Sequence, residues 1–293
     1  MRRKAHCGIG PLPHPATHRA RGGRAEDRAG AAAPKAAGFA LLTALLIAGC
    51  DSTHPRPDPS PSDDHAFPKA DRPVASIVSA RWSSEEARDR LNEADKVMDL
   101  AEIRPGMTVA DIGAGEGYYT IRLATRVGKD GRVLAEDIIP AVRDGLAQRV
   151  ARERLDNVSV RLGDPEDPKL PDNSFDRIFM VHMYHEIEAP YEFLWRMRPS
   201  LRPGGLVVVV DANRETQNHG TPPELLKCEM AAVGYRLVTM SDMPSAGGYF
   251  ATFRAEGARP APNTIRTCPN PGVRDPQGGP TSDAPEPQGH KPK

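Results

Sequence analysis

The sequence has 293 residues, with Lys+Arg 39 against Asp+Glu 39, and four cysteines. Zero formal charge argues against a nucleic-acid coat protein or a polybasic membrane binder. Four scattered cysteines exclude a disulfide-framework fold and a CxxC zinc module. Ten of the 30 prolines fall in residues 1–73 and nine in residues 259–293. Both flanks are also poor in large apolar residues, which predicts disorder there and one domain of roughly 180 residues between them, enough to bury a full core.

At the N-terminus, residues 2–35 carry eight Lys and Arg residues against Glu26 and Asp27, and the apolar run from Ala36 to Gly49 follows. That run is too short to span a bilayer as a stable helix. A basic stretch, a short apolar segment and small residues at its end predict a secretory signal peptide over 1–49. Ile47-Ala48-Gly49-Cys50 resembles the lipobox of bacterial lipoproteins. The resemblance implies cleavage before Cys50, its lipid modification, and a place in the cell envelope facing the periplasm or the exterior, with the membrane reached through the acyl chains. Residues 50–75 read as a disordered linker, 76–258 as the domain and 259–293 as a disordered Pro-rich tail. A translation start near Val74 would remove the signal and leave a cytoplasmic protein. Cys228, expected in a helix, and Cys268, expected in the tail, receive no role.

Within the domain, Ser83-Ser84-Glu85-Glu86 has the form of a capping box, and Leu91, Ala94, Met98 and Ala101 recur at helical spacing up to Pro105-Gly106. Strands are predicted over 107–111, 132–137, 158–162, 175–181 and 206–210, with a closing pair over 235–238 and 249–254. Helices are predicted over 118–127, 140–155, 191–197 and 223–233. Val142, Leu146 and Val150 form an i, i+4 stripe on the second of these. Four consecutive valines, Val207 to Val210, predict a strand covered on both faces. Strand-helix alternation predicts a doubly wound, mostly parallel α/β sheet, whose ligands bind beyond the strand C-termini where the strand order reverses.

The first strand-turn-helix reads Asp111-Ile-Gly113-Ala-Gly115-Glu-Gly117. Its Gly-x-Gly-x-Gly spacing departs from the dinucleotide pattern, and carboxylates crowding the turn suit a cationic ligand better than a diphosphate. The segment resembles motif I of class I S-adenosylmethionine-dependent methyltransferases. The second strand ends in Glu136-Asp137, and Gly163-Asp164 follows the third; Ser174-Phe175-Asp176 and Leu201-Arg-Pro203-Gly204-Gly205 extend the likeness over about residues 80–255. The resemblance implies a seven-stranded Rossmann-like fold and S-adenosylmethionine as cofactor. It implies Asp111, Gly113, Gly115 and Gly117 around that cofactor, Asp137 rather than Glu136 on its ribose, and Asp164 at its adenine amino group.

Methyl transfer is an in-line displacement from a leaving thioether that needs no proton, so alignment carries most of the catalysis and a base serves only a protonated acceptor. His182-Met-Tyr184-His185-Glu186 follows the fourth strand, where an acceptor would lie. His185 is the candidate base and Tyr184 the residue shaping the pocket. His182 and His185 stand at a metal-compatible spacing, but no third ligand is defined and no metal is expected. Asp211 and His219 lie at the same rim without a role, and Arg81-Trp82 with the first helix could cover the cofactor. The expected activity is methyl transfer to a small molecule, with no nucleic-acid partner. The alternative is a nucleoside-binding module that kept the fold and lost catalysis, a reading that gains weight if an exported domain cannot obtain the charged cofactor across a bilayer.

Overall fold

The computed structural model of the protein describes residues 67–77 and 84–270. The signal segment, Cys50, Ser83 and Arg81-Trp82 lie outside the described residues. A seven-stranded sheet runs in the order β3-β2-β1-β4-β5-β7-β6. Its strands are β1 (Thr108–Ile112), β2 (Arg132–Asp137), β3 (Val158–Leu162), β4 (Phe175–Val181), β5 (Leu201–Asp211), β6 (Tyr235–Met243) and β7 (Gly248–Ala255). The first five pair in parallel, and β7 lies antiparallel to both β5 and β6. The order reverses between β1 and β4, which opens the ligand crevice at their C-terminal ends.

The valine run explains the two-layered core. Val207 and Val209 pack into one buried cluster and Val208 and Val210 into the other, since successive side chains leave opposite faces of a strand. One face is covered by α5 (Pro190–Met197) and α6 (Pro223–Ala232) through Tyr191, Leu194, Leu226 and Met230. The other is covered by α2 (Glu93–Leu100) and α3 (Tyr118–Val127) through Val97, Met98, Leu123 and Val127. On α4 (Pro140–Glu153) Leu146 is buried, whereas Val142 and Val150 of the expected stripe are half-buried.

Three expectations are corrected. The single first helix is broken into α1 (Glu85–Arg90) and α2, because Asn92 takes the left-handed conformation at φ 56° and the helix axis cannot continue through it. Its cap is Ser84, which accepts the Ala87 N–H at 3.3 Å, and Leu91 faces solvent. Residues 67–75 of the expected linker are a packed strap: Phe67 meets the Trp195 ring edge-on at 5.5 Å, and the Arg72 guanidinium forms a fully buried ion pair with Glu229 at 3.0 Å. Residues 259–270 of the expected tail are packed too. Cys268 is buried and disulfide-bonded to Cys228, and its N–H donates to the Tyr191 hydroxyl at 2.7 Å.

That disulfide closes a loop of sequence separation 40. Converting both cysteines to serine is expected to lower the unfolding free energy by about 2–4 kcal/mol. Urea titrations with and without reductant check this, and reductant should leave the double-serine variant unchanged.

Candidate active site

A cavity of about 790 Å³ opens at the strand-order reversal. It is walled by the turn after β1, the ends of β2 and β4, the start of α4 and the first turns of α1. Its volume lies within the range of small-molecule sites. Acidic side chains dominate the wall, and Arg88 is the one Lys or Arg among the described lining residues. Such a lining focuses a negative potential that favours a cationic guest.

The glycine turn divides into separate tasks. Gly113, Gly115 and Gly117 all take positive φ, of 65°, 56° and 92°. A Cβ on Gly113 would press the Met183 side chain at 3.0 Å, and one on Gly117 would collide with Leu146 at 2.4 Å. Among the described residues, nothing beyond its own chain neighbours lies within 4 Å of a Cβ built on Gly115, which sits on the cavity wall. Gly113 and Gly115 therefore line the cavity as expected. Gly117 does not; it caps α3 and lets α4 pack closely.

The acids converge on this turn. Asp111 is buried at the end of β1, where it accepts the Thr120 hydroxyl at 2.6 Å. Burial pushes its carboxyl up to about 6, against the pull of that hydrogen bond. Asp137 accepts the Gly115 N–H at 3.0 Å and the Ile139 N–H at 2.9 Å, tying the end of β2 to the glycine turn. Glu136 also lines the cavity. Burial and the neighbouring Asp137 charge raise its carboxyl to about 8. A Cβ on Gly163 would stand 1.7 Å from Glu136 Oε1, so that glycine exists to make room for the carboxyl. Asp164 is not on the cavity wall: its carboxylate pairs with Lys169 at 2.6 Å, while Pro165 and Glu166 line the cavity instead.

Neither residue expected to act on the acceptor reaches the cavity wall. Tyr184 is fully buried in the core and donates to Glu229 at 2.7 Å. His185 is 1% exposed and turns Nδ1 to the Asp211 carboxylate at 3.0 Å. The pentapeptide bends at once after β4 because His182 takes φ 55°, which puts His182, Met183 and Glu186 on the cavity and sends Tyr184 and His185 inward. A strand-end reading could not anticipate that bend.

The sequence reading also missed the cluster closing the cavity beside α1. The Arg88 guanidinium lies 3.8 Å over the Tyr118 ring and donates to Glu93. Glu93 also accepts the Tyr119 hydroxyl at 2.9 Å and has His182 Nε2 at 3.6 Å. Burial opposes ionisation of Glu93, but the His182 and Arg88 contacts outweigh it and hold its carboxyl at about 2. The sequence carried only the Tyr118-Tyr119 pair after the glycine turn and the Arg88 to Glu93 spacing, and nothing in it says that the two meet. The expected cover from the first helix is met in part: Ser84, Glu85, Glu86 and Arg88 line the cavity.

Residues 109–205 match the family model described as a methyltransferase domain. The match runs from β1 into β5 and includes the glycine turn, both β2 acids and the bend after β4. Nocamycin O-methyltransferase of Saccharothrix syringae is 41% identical over 83 residues, which are 28% of this chain and 30% of that one. A ubiquinone/menaquinone biosynthesis C-methyltransferase, UbiE, of Ectopseudomonas mendocina is 30% identical over 179 residues, 59% of this chain and 63% of that one. Against four curated relatives the chain spans only 29% to 50% of their length. The crystal structure of the [4+2]-cyclase SpnF superposes with a TM-score of 0.50 at 18% identity, covering 65% of this chain and 89% of that one, which bears on the fold alone. The architecture is the Rossmann-like methyltransferase fold.

Proposed function

We propose that the protein is an S-adenosylmethionine-dependent methyltransferase acting on a small-molecule acceptor, held in the bacterial envelope through a lipid on Cys50. The observation that carries the cofactor assignment is that Asp111, Glu136 and Asp137 share one cavity with Gly113 and Gly115. The residues fit the cofactor. Gly115 lets a ligand approach the main chain, the Asp137 carboxylate is placed for ribose hydroxyls, and the anionic wall suits a sulfonium and an amino group. When bound, the cofactor supplies an electrophilic methyl group. The protein's part is to hold it beside α1 and the bend after β4, and to keep water out with Ile139, Met183 and Phe193 on the wall. The two curated relatives named above are methyltransferases by name, which supports the same reading.

The compartment rests on different support. Disulfides persist in oxidising compartments, and the Cys228–Cys268 bridge fits a domain that has been exported. Among the described residues no helix is long and apolar enough to cross a membrane. One observation favours the rival, a nucleoside-binding module: both residues expected to act on the acceptor sit behind the cavity wall.

Saturating S-adenosylmethionine, at about 100 times its Kd, is expected to stabilise the full chain by about 2.7 kcal/mol in thermal melts. Asp137→Ala should weaken binding by about tenfold or more, the loss of one charged hydrogen-bond acceptor. No shift at millimolar cofactor would refute the assignment. Labelled methyl transfer into an envelope extract separates the two readings, since binding with no transfer selects the module.

A further inference from the structure

A second cluster adjoins the cavity wall and shares Glu186 with it. One ligand atom each from His185, Glu186 and His219 lies within 4.8 Å of the other two. His185 and Glu186 sit on the short turn Tyr184–Glu186, and His219 ends the turn Thr216–Asn218 after β5. The two imidazoles meet edge-on at 5.5 Å.

The surroundings hold these side chains in place. Asp211, fully buried at the end of β5, receives His185 Nδ1 at 3.0 Å, the Ala212 N–H at 2.8 Å and the Thr221 hydroxyl at 2.8 Å. A carboxylate only accepts, so Nδ1 carries a proton and Nε2 is the ring atom left to ligate. A carboxylate behind a histidine is the arrangement that fixes tautomer and ring direction in metal sites. His219 takes a left-handed backbone at φ 57°, an uncommon conformation for a residue with a side chain. The loop is locked there because Thr221 N–H returns to Ala212 O at 2.9 Å, and a Cβ on Gly220 would meet that oxygen at 2.5 Å. The N-terminal strap fastens both turns. Ala75 N–H donates to His185 O at 3.2 Å, and the Thr216 hydroxyl donates to Pro73 O.

We propose that His185, Glu186 and His219 bind one divalent transition-metal ion, with Asp211 as the positioning carboxylate. Two imidazoles and one carboxylate suit borderline ions such as Zn(II), Co(II), Ni(II) or Fe(II) and leave coordination positions open. Glu186 belongs to both the cluster and the cavity wall, so the ion stands at the edge of the cavity. There it can hold an acceptor oxygen or sulfur and lower its pKa. That use rests on the methyl-transfer reading; the metal site does not.

The test is titration of the chelator-treated full chain with Co(II), followed by visible absorption and calorimetry, without S-adenosylmethionine. One equivalent should bind with a Kd on the order of micromolar or tighter, with a d–d spectrum of low symmetry. His219→Ala and Glu186→Gln should each weaken binding by about tenfold or more, and Asp211→Asn by about 10- to 100-fold. Loss of saturable binding in correctly folded His219→Ala, judged by an unchanged melting curve, supports the site. Absence of saturable Co(II) binding by the unaltered chain, or equal affinity in His219→Ala and Glu186→Gln, overturns it. Because cofactor binding is measured separately by thermal shift, failure of the metal site leaves the cofactor assignment standing, and the converse.

Discussion

Between pH 5 and pH 8.5 the ligand-free protein is expected to lose about 3–5 kcal/mol of stability, and Glu136→Gln is expected to keep most of it. Burial, then the charge of Asp137, raises the Glu136 carboxyl from 4.5 to about 8. Across that window the folded chain holds a proton that the unfolded chain has released. The unfolded state therefore binds fewer protons, and stability falls as pH rises toward the folded value. Asp111, raised to about 6, adds a smaller loss of the same sign over the lower part of the window. A glutamine has no proton to lose, so the variant's unfolding free energy should be nearly flat in pH apart from Asp111. Urea titrations at half-unit intervals give the two curves, and parallel curves would refute the account. The same coupling makes a cationic ligand bind more tightly as pH rises, since its charge favours ionised Glu136. S-adenosylmethionine should thus recover part of the lost stability at pH 8, and less of it at pH 5.

Glu229→Ala is expected to cost about 3–5 kcal/mol, because it leaves the Arg72 guanidinium buried without its carboxylate. The pair is 0% and 1% exposed at its side chains, and the Tyr184 hydroxyl completes it. Arg72 further donates to Ile187 O at 3.1 Å, so the strap is fastened to the turn carrying His185 and Glu186. Burial raises the Glu229 carboxyl above its ordinary value in spite of the guanidinium beside it, so ion pairing falls short of the desolvation cost. A triple variant, Arg72→Met with Tyr184→Phe and Glu229→Leu, removes all three polar partners together and should regain most of what Glu229→Ala loses. If the triple variant is no more stable than Glu229→Ala, the loss came from packing and not from a stranded charge.

What could be read before the fold was seen follows physical range. The valine run and the strand-helix alternation are local patterns, and they gave the seven strands and their parallel core. Asp111 and the first two glycines were legible as lining the crevice because their turn is written in consecutive residues, and Asp137 because it ends the next strand of the same alternation. The strap was not, since Arg72 and Glu229 are 157 residues apart and proline-rich composition says nothing about a partner at that distance. The Cys228–Cys268 bridge escaped for the same reason: its second cysteine lies in a stretch that reads as tail. The misplacement of Tyr184 and His185 has another origin. A single left-handed residue, His182, reverses which side chains face the crevice, and no periodicity announces it. His219 was visible only as a rim residue, because its neighbours in the cluster come from a different strand end.

The Thr267 hydroxyl donates to Lys69 O at 3.2 Å, so the outermost segments of the described domain lie side by side. Chain order and three-dimensional order are therefore separable here. A short peptide joining residue 270 to residue 67, with new ends opened at the exposed turn of Lys129 and Asp130, makes a circular permutant that keeps the Arg72–Glu229 and Cys228–Cys268 pairings. Melting of such a rearranged chain would show how much of the clasp's contribution depends on the order in which its segments are joined.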